Sequence, residues 1–141
     1  MKARQTKLLR DSLLLEVLVQ LGLRTTEASR LEWEHVSLED STLHAGEGKR
    51  KRKLKIPAKL ARKLSGFRQA HAQAKHVFHR KGQPLTARQV QKIVKKRTGK
   101  TGKQLRKEFA KGFLEKNPAS KLARILGNTT LQSVIPYLGK G

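Results

Sequence analysis

Between Leu8 and Leu21 the chain carries Leu8, Leu9, Leu13, Leu14, Leu15, Val17, Leu18 and Leu21. Apolar residues recur there at three- and four-residue intervals over a broad stripe, the pattern of a helix with one wide face to bury. Gly22 follows where a helix needs a left-handed residue to end on. The spacing predicts a core helix over 7–21, preceded by a polar, frayed stretch over 1–6. The longest apolar run, Leu13 to Leu18, is interrupted by Glu16 and is far short of a membrane span, and no apolar segment with a small-residue cleavage site opens the chain. A soluble, intracellular protein is expected. A length of 141 residues suffices for one core and one domain.

The remaining elements attach to that helix. Arg24 sits in the bend after Gly22, and Thr25 or Thr26 can cap a short second helix that carries Ala28, Leu31 and Trp33 inward. A turn at Asp40 and Ser41, a short strand over 43–45, a second turn at GEGK and the run KRKRKLKIP read as a small β-hairpin. Pro57 opens a helix over 58–73 with Leu60, Leu64 and Phe67 on one face. A loop with an extended piece at Val77 and Phe78 follows. Thr86 caps a helix over 87–96 that turns Val90, Ile93 and Val94 inward and Arg88, Gln91, Lys92 and Lys95 outward. Helices from 103 or 104 to 114, from 118 to 126 and a last short one near Tyr137 complete a mainly α chain with a small antiparallel β-hairpin or sheet.

Charge narrows the function. Lysine and arginine number 33 against 10 acidic residues, a formal charge of +23. That excess exceeds what solubility requires and calls for a polyanionic partner. Aromatic residues make up only 4% of the chain, too few for the stacking platforms of single-strand or RNA-loop binders, so duplex DNA backbone is the expected partner. No cysteine is present, which excludes disulfides and thiolate metal sites. The five histidines form no pair at helical ligand spacing with a nearby acid, so neither metal nor cofactor is expected. GKTGK invites comparison with a phosphate-binding loop but lacks the spacer between its glycines and a preceding buried strand.

The stretch from Lys103 to Tyr137 carries the chemistry. Arg106 follows Lys103 by three residues, Leu126-Gly127-Asn128 comes 20 residues later, and the only tyrosine of the chain stands nine residues beyond Asn128. With GLRTTEASRLEW around Arg24, and a hairpin whose Lys49 lies at a fixed count before Ile56-Pro57, these pieces fall in one order. In that order and spacing the chain resembles the catalytic domain of the tyrosine recombinases, the phage integrase family, over residues 8–139. The resemblance implies the integrase catalytic fold and DNA strand cleavage and rejoining through a 3′-phosphotyrosine. It also implies roles: Arg24 and Arg106 clamp the scissile phosphate, Lys103 assists, Tyr137 is the nucleophile, and Lys49, with Lys51 second, is the general acid.

Those residue types suit that chemistry. Planar guanidinium forks match the paired non-bridging oxygens of a phosphodiester, and cations nearby favour the phenolate of a tyrosine that otherwise ionises near pH ~10. A covalent phosphotyrosine conserves the bond energy, so rejoining needs neither ATP nor metal. Arg50, Lys51, Arg52 and Lys53 of the hairpin, Arg88 and Lys92 of the 87–96 helix, and Lys100 are the expected DNA contacts. Asn128 stands where the family has His or Trp; it can donate a hydrogen bond but not exchange a proton, which weakens the chemistry. Pro136 restricts how Tyr137 is presented. The family's amino-terminal core-binding domain is expected to be absent, leaving DNA affinity to the charge of the catalytic half, to homo-oligomer formation on DNA or to an accessory protein. A nucleoid-associated enzyme is the first reading; a catalytically weak DNA-binding accessory derived from an integrase is the second, and an RNA-binding component the third.

Overall fold

The computed structural model describes residues 2–70 and 74–127. Its first element, α1 (Lys2–Leu21), is the axis of the molecule: Leu13, Leu14, Val17 and Leu18 are wholly buried. Among the helices it packs most extensively against α2 (Thr25–Arg30), α3 (Ala58–Ala70) and α5 (Gly102–Leu114). Two expectations change here. The helix starts at Lys2 rather than after a frayed lead, because Lys, Ala, Arg and Gln are all good helix formers. Leu8 and Leu9, expected in the core, are each 51% exposed, since the stripe is wider than the face that its neighbours cover.

At the end of α1 the chain reverses through Gly22 (φ 70), whose N–H donates to the Leu18 carbonyl at 3.1 Å. A Cβ at that glycine would stand 2.5 Å from the Phe109 ring of α5, so close packing as well as the left-handed backbone requires glycine there. Neither Thr25 nor Thr26 caps α2. Arg24 is the N-cap residue, and its N–H donates to the Glu27 carboxylate at 2.9 Å.

The expected hairpin is part of a three-stranded antiparallel sheet in the order β1 (Val36–Ser37), β2 (Thr42–Ala45), β3 (Arg52–Lys55). Leu43 pairs with Leu54 and Ala45 with Arg52. Alternation along the strands turns Leu43, Ala45, Leu54 and Arg52 inward and His44, Lys53 and Lys55 out. Leu60, Ala61, Leu64 and Phe67 of α3 are buried, and the Phe67 ring lies 6.4 Å from that of Trp33. The helix is described to Ala70, and the residues expected to extend it to 73 lie outside the described ones. Val77 and Phe78 are fully buried ahead of a two-stranded hairpin, β4 (His79–Arg80) and β5 (Gln83–Pro84).

A glycine helix end and a capping box explain the glycine-rich loop RTGKTGK. Helix α4 (Ala87–Thr98) opens on Thr86 with Gln89 reaching back, and closes on Gly99 (φ 74). Two residues later Thr101 and Gln104 form the same reciprocal pair at the start of α5. RTGKTGK is therefore one helix end followed directly by one helix start. Helix α6 (Ala119–Leu126) ends on Gly127 (φ 77). The last helix expected near Tyr137 lies outside the described residues. Among the described residues no helix is long and apolar enough to cross a membrane.

Gly22→Ala and Gly99→Ala separate backbone strain from packing. Each places an alanine at positive φ, which costs about 1–2 kcal/mol. Only the first also forces the Phe109 ring to move, because nothing lies within 4 Å of a Cβ at Gly99. Urea unfolding should show the larger loss for Gly22→Ala; equal losses would mean that Phe109 yields freely.

Candidate active site

The site is built at the carboxyl end of α6, where the last carbonyls have no partner within the helix and carry the negative end of its dipole. Arginines from three other elements reach it. Arg24, before α2, donates from Nη1 to the Leu126 carbonyl at 2.9 Å. Arg106, buried on α5, donates from Nη2 to the same oxygen at 2.9 Å. Arg52 of β3 donates from Nε to the preceding carbonyl, that of Ile125, at 2.8 Å. Leu126-Gly127 is suited to this crowding: a Cβ on Gly127 would lie 2.6 Å from Arg52 Nη1 and 3.1 Å from Arg24 Nη1.

One carboxylate holds the cations in place. Glu27 accepts from Arg52 Nη1 at 2.6 Å and Nη2 at 2.9 Å, and from Arg24 through its backbone N–H at 2.9 Å and Nη1 at 3.2 Å. Burial alone raises the pKa of this carboxyl, but the hydrogen bonds from Arg52 and Arg24 and the charge of both guanidiniums outweigh it, and Glu27 titrates below its ordinary value. Burial pushes the Arg24 guanidinium downward; Glu27 opposes that shift, and Arg50 and Arg52 add to it. Arg24 remains a cation at neutral pH.

Of the residues expected at the site, Arg24, Lys103 and Arg106 line one groove of about 690 Å³, joined by Arg88 and Lys92 of α4. None of the ten acidic residues of the chain lines it. Lys49 lies elsewhere, exposed in the 3₁₀ turn Gly48–Arg50 at the tip of the β2–β3 hairpin. Arg50 and Lys51 line a separate cavity of about 700 Å³ that shares Arg24 and also holds Glu27, Glu32, Glu47, His35, His44 and His76. Lys53 is exposed on the outer face of β3, and Lys100 pairs with Glu108 on the surface. Asn128 and Tyr137 lie outside the described residues.

Arg52 corrects an expectation. The basic run places it on the DNA surface with its neighbours, yet its side chain is 4% exposed and bound to Glu27 and Ile125. Strand alternation gives the reason: Arg52 shares the inward face with Leu54, and the residues facing out are Lys53 and Lys55. Glu27, its partner, is absent from the residues the sequence singles out; its one local signal is an acid three residues after the residue that opens a helix, the spacing of a reciprocal cap. Glu32, Glu34 and His35 each offer one ligand atom within 4.8 Å of the others; two of the three are exposed.

The model described as "Phage integrase family" matches residues 1–140. The chain belongs to the phage integrase family. Solved structures of similar fold include the XerA recombinase, with a TM-score of 0.85 and 16% identity over 99% of this chain and 55% of that one. The XerH site-specific recombinase bound to difH substrate gives 0.75 and 23%, over 94% and 43%. A lambda integrase dimer bound to a COC′ core site gives 0.72 and 17%, over 92% and 52%. This integrase-family chain thus spans about half the length of the proteins it matches. Comparison with curated proteins gives no match.

The Glu27 network makes stability depend on pH with a definite sign. A carboxyl whose folded pKa is depressed contributes fully above its ordinary value of 4.5, and the contribution is lost as pH falls through the folded value. Glu27→Gln, which leaves buried guanidiniums without their carboxylate, is expected to lose about 3–5 kcal/mol near neutral pH. Its unfolding free energy should also vary less than that of the wild type below pH ~4.5. A variant with the wild-type acid profile would remove Glu27 as the group responsible.

Proposed function

We propose that this chain cuts and rejoins duplex DNA as a site-specific recombinase. The oxygen of Tyr137 attacks phosphorus, the bond from phosphorus to the 5′ oxygen breaks, and a 3′-phosphotyrosine forms. The phenolic proton passes to solvent water, and the departing 5′ oxygen takes up a proton, for which Lys49 is the candidate donor and Lys51 the second. Rejoining runs the same exchange in reverse, with a 5′ hydroxyl attacking the phosphotyrosine. The observation that carries this reading is the convergence of Arg24 and Arg106, from different helices, on one oxygen atom at 2.9 Å each. Two forks that can meet at a single acceptor are spaced to share a phosphate group, and Lys103 in the same groove adds a third cation.

Membership of the integrase family and the fold likeness support the same class of reaction. The XerH and lambda integrase relatives are complexes with DNA, which favours duplex DNA as the partner here, with the chain at work as an oligomer on it. The chain is read as one catalytic domain. An accessory, DNA-holding role is the second reading: Lys49 lines neither of the two cavities described around Arg24.

Incubation with nicked duplex carrying a 5′-bridging phosphorothiolate should yield a covalent protein–DNA adduct that Tyr137→Phe abolishes. Duplex binding without an adduct would favour the accessory role. Arg106→Lys keeps the charge but removes the fork. It should slow adduct formation about 10²–10³-fold, with only a few-fold loss of duplex affinity. Equal losses in both would assign Arg106 to binding alone.

A further inference from the structure

Along the other flank of α4 runs a second groove, of about 530 Å³. Phe67, Leu85 and Ile93 lie in its floor, and the exposed cations Lys7, Arg80, Lys81 and Lys92 stand at its edge. Lys92 lines both this groove and the candidate active site. Arg88, one helical turn before it, faces the active site, while Ile93, next in sequence, faces the second groove, so Lys92 crowns a ridge between the two. None of the ten acidic residues lines either groove, whereas three glutamates line the cavity on the hairpin side.

The cations at the edge are held in position. Arg10, also lining the groove, is buried and paired with Asp11 at 2.8 Å, and it donates to the His79 carbonyl at 3.3 Å. It fastens the β4–β5 hairpin to α1 instead of offering charge. The turn that follows is braced from within by the Gly82 N–H donating to His79 Nδ1 at 3.3 Å, with Lys81 at φ 51. Arg80 and Lys81 are thereby presented on an ordered turn.

We propose that duplex DNA engaged at the candidate active site continues over Lys92 into this groove. There Lys7, Arg80 and Lys81 contact backbone phosphates of flanking DNA, outside the cleaved core. The inference rests on the recombinase reading and extends its footprint. Duplex DNA carries a charge about every 1.7 Å of its axis, so a rod seated in the first groove extends past Lys92 in one direction or the other. The acid-free groove is the direction that rewards it. The apolar floor suits sugar edges, which lie between phosphates on the same strand. A second copy of the chain, with a formal charge of +23, would be repelled from the same rim.

The test uses the whole chain, fluorescence anisotropy and two duplexes, one limited to the core and one extended by a helical turn on each side, across a range of salt. Arg80→Gln/Lys81→Gln should lower the slope of log K against log salt by about two on the extended duplex, near 0.9 per phosphate contact, and leave the core duplex unaffected. Lys59→Gln/Arg62→Gln, exposed on α3 and outside all three cavities, is the charge-matched control and should keep the wild-type slope on both. An unchanged slope for Arg80→Gln/Lys81→Gln on the extended duplex overturns the proposal and leaves the groove to an acidic protein partner. Equal slope losses for both pairs overturn it too, since the effect would then be bulk charge. A wild type that binds no duplex, or prefers structured RNA, sinks the recombinase reading first.

Discussion

Everything around the candidate site depends on the carboxylate of Glu27. Three buried or half-buried guanidiniums gather at the end of α6, and this is the acid that bonds to two of them. Side-chain exposures of 4% for Arg52 and 8% for Glu27 mean that little water shares the charge. Such a pair recovers its desolvation only if its geometry is good and its other donors are used. Both conditions hold: Arg52 is bidentate to Glu27, and its remaining contacts are the carbonyls of Ile125 and Arg50. The arrangement ties together α2, the sheet and α6, which are far apart in the chain. It also leaves the cluster positive, since one carboxylate cannot neutralise three arginines.

Position in the fold therefore divides the cations into two populations. Arg10 and Arg52 are used up internally, each against an acid and a backbone carbonyl, and serve as struts. Arg88, Lys92, Arg80 and Lys81 stand in solvent around α4. A net charge does not tell the two kinds apart, and because Arg10 and Arg52 each have a paired acid, the excess of +23 rests on the other cations. Salt acts mainly on the exposed group, because pairs removed from water are screened much less.

The helical frame could be read from the chain because it rests on local rules: the stripe of α1, the cap Thr86 and the glycine at 22. What escaped depends on contacts between distant segments. Nothing local distinguishes Arg52 from its basic neighbours; only the register opposite Ala45, and the inward side of Leu54, show that it is buried. Leu8 and Leu9 were misjudged for the converse reason, since an apolar stripe does not say how much of itself neighbours will cover. The meeting of Arg24, Lys103 and Arg106 in one groove was expected from family spacing rather than from any property of those residues alone. Lys49 stands on the exposed hairpin tip, so its part in the chemistry rests on the count to Ile56-Pro57.

The Leu126 carbonyl gives the site a property that its charge alone would not. By accepting from both Arg24 and Arg106, it keeps two long side chains in fixed rotamers. Each such side chain would otherwise lose up to about 2 kcal/mol of rotamer freedom on meeting a ligand. Here that ordering is completed during folding. The carbonyl thus acts as a neutral placeholder that gathers the two chains before an anion arrives, while Glu27 steadies Arg24 from the other side.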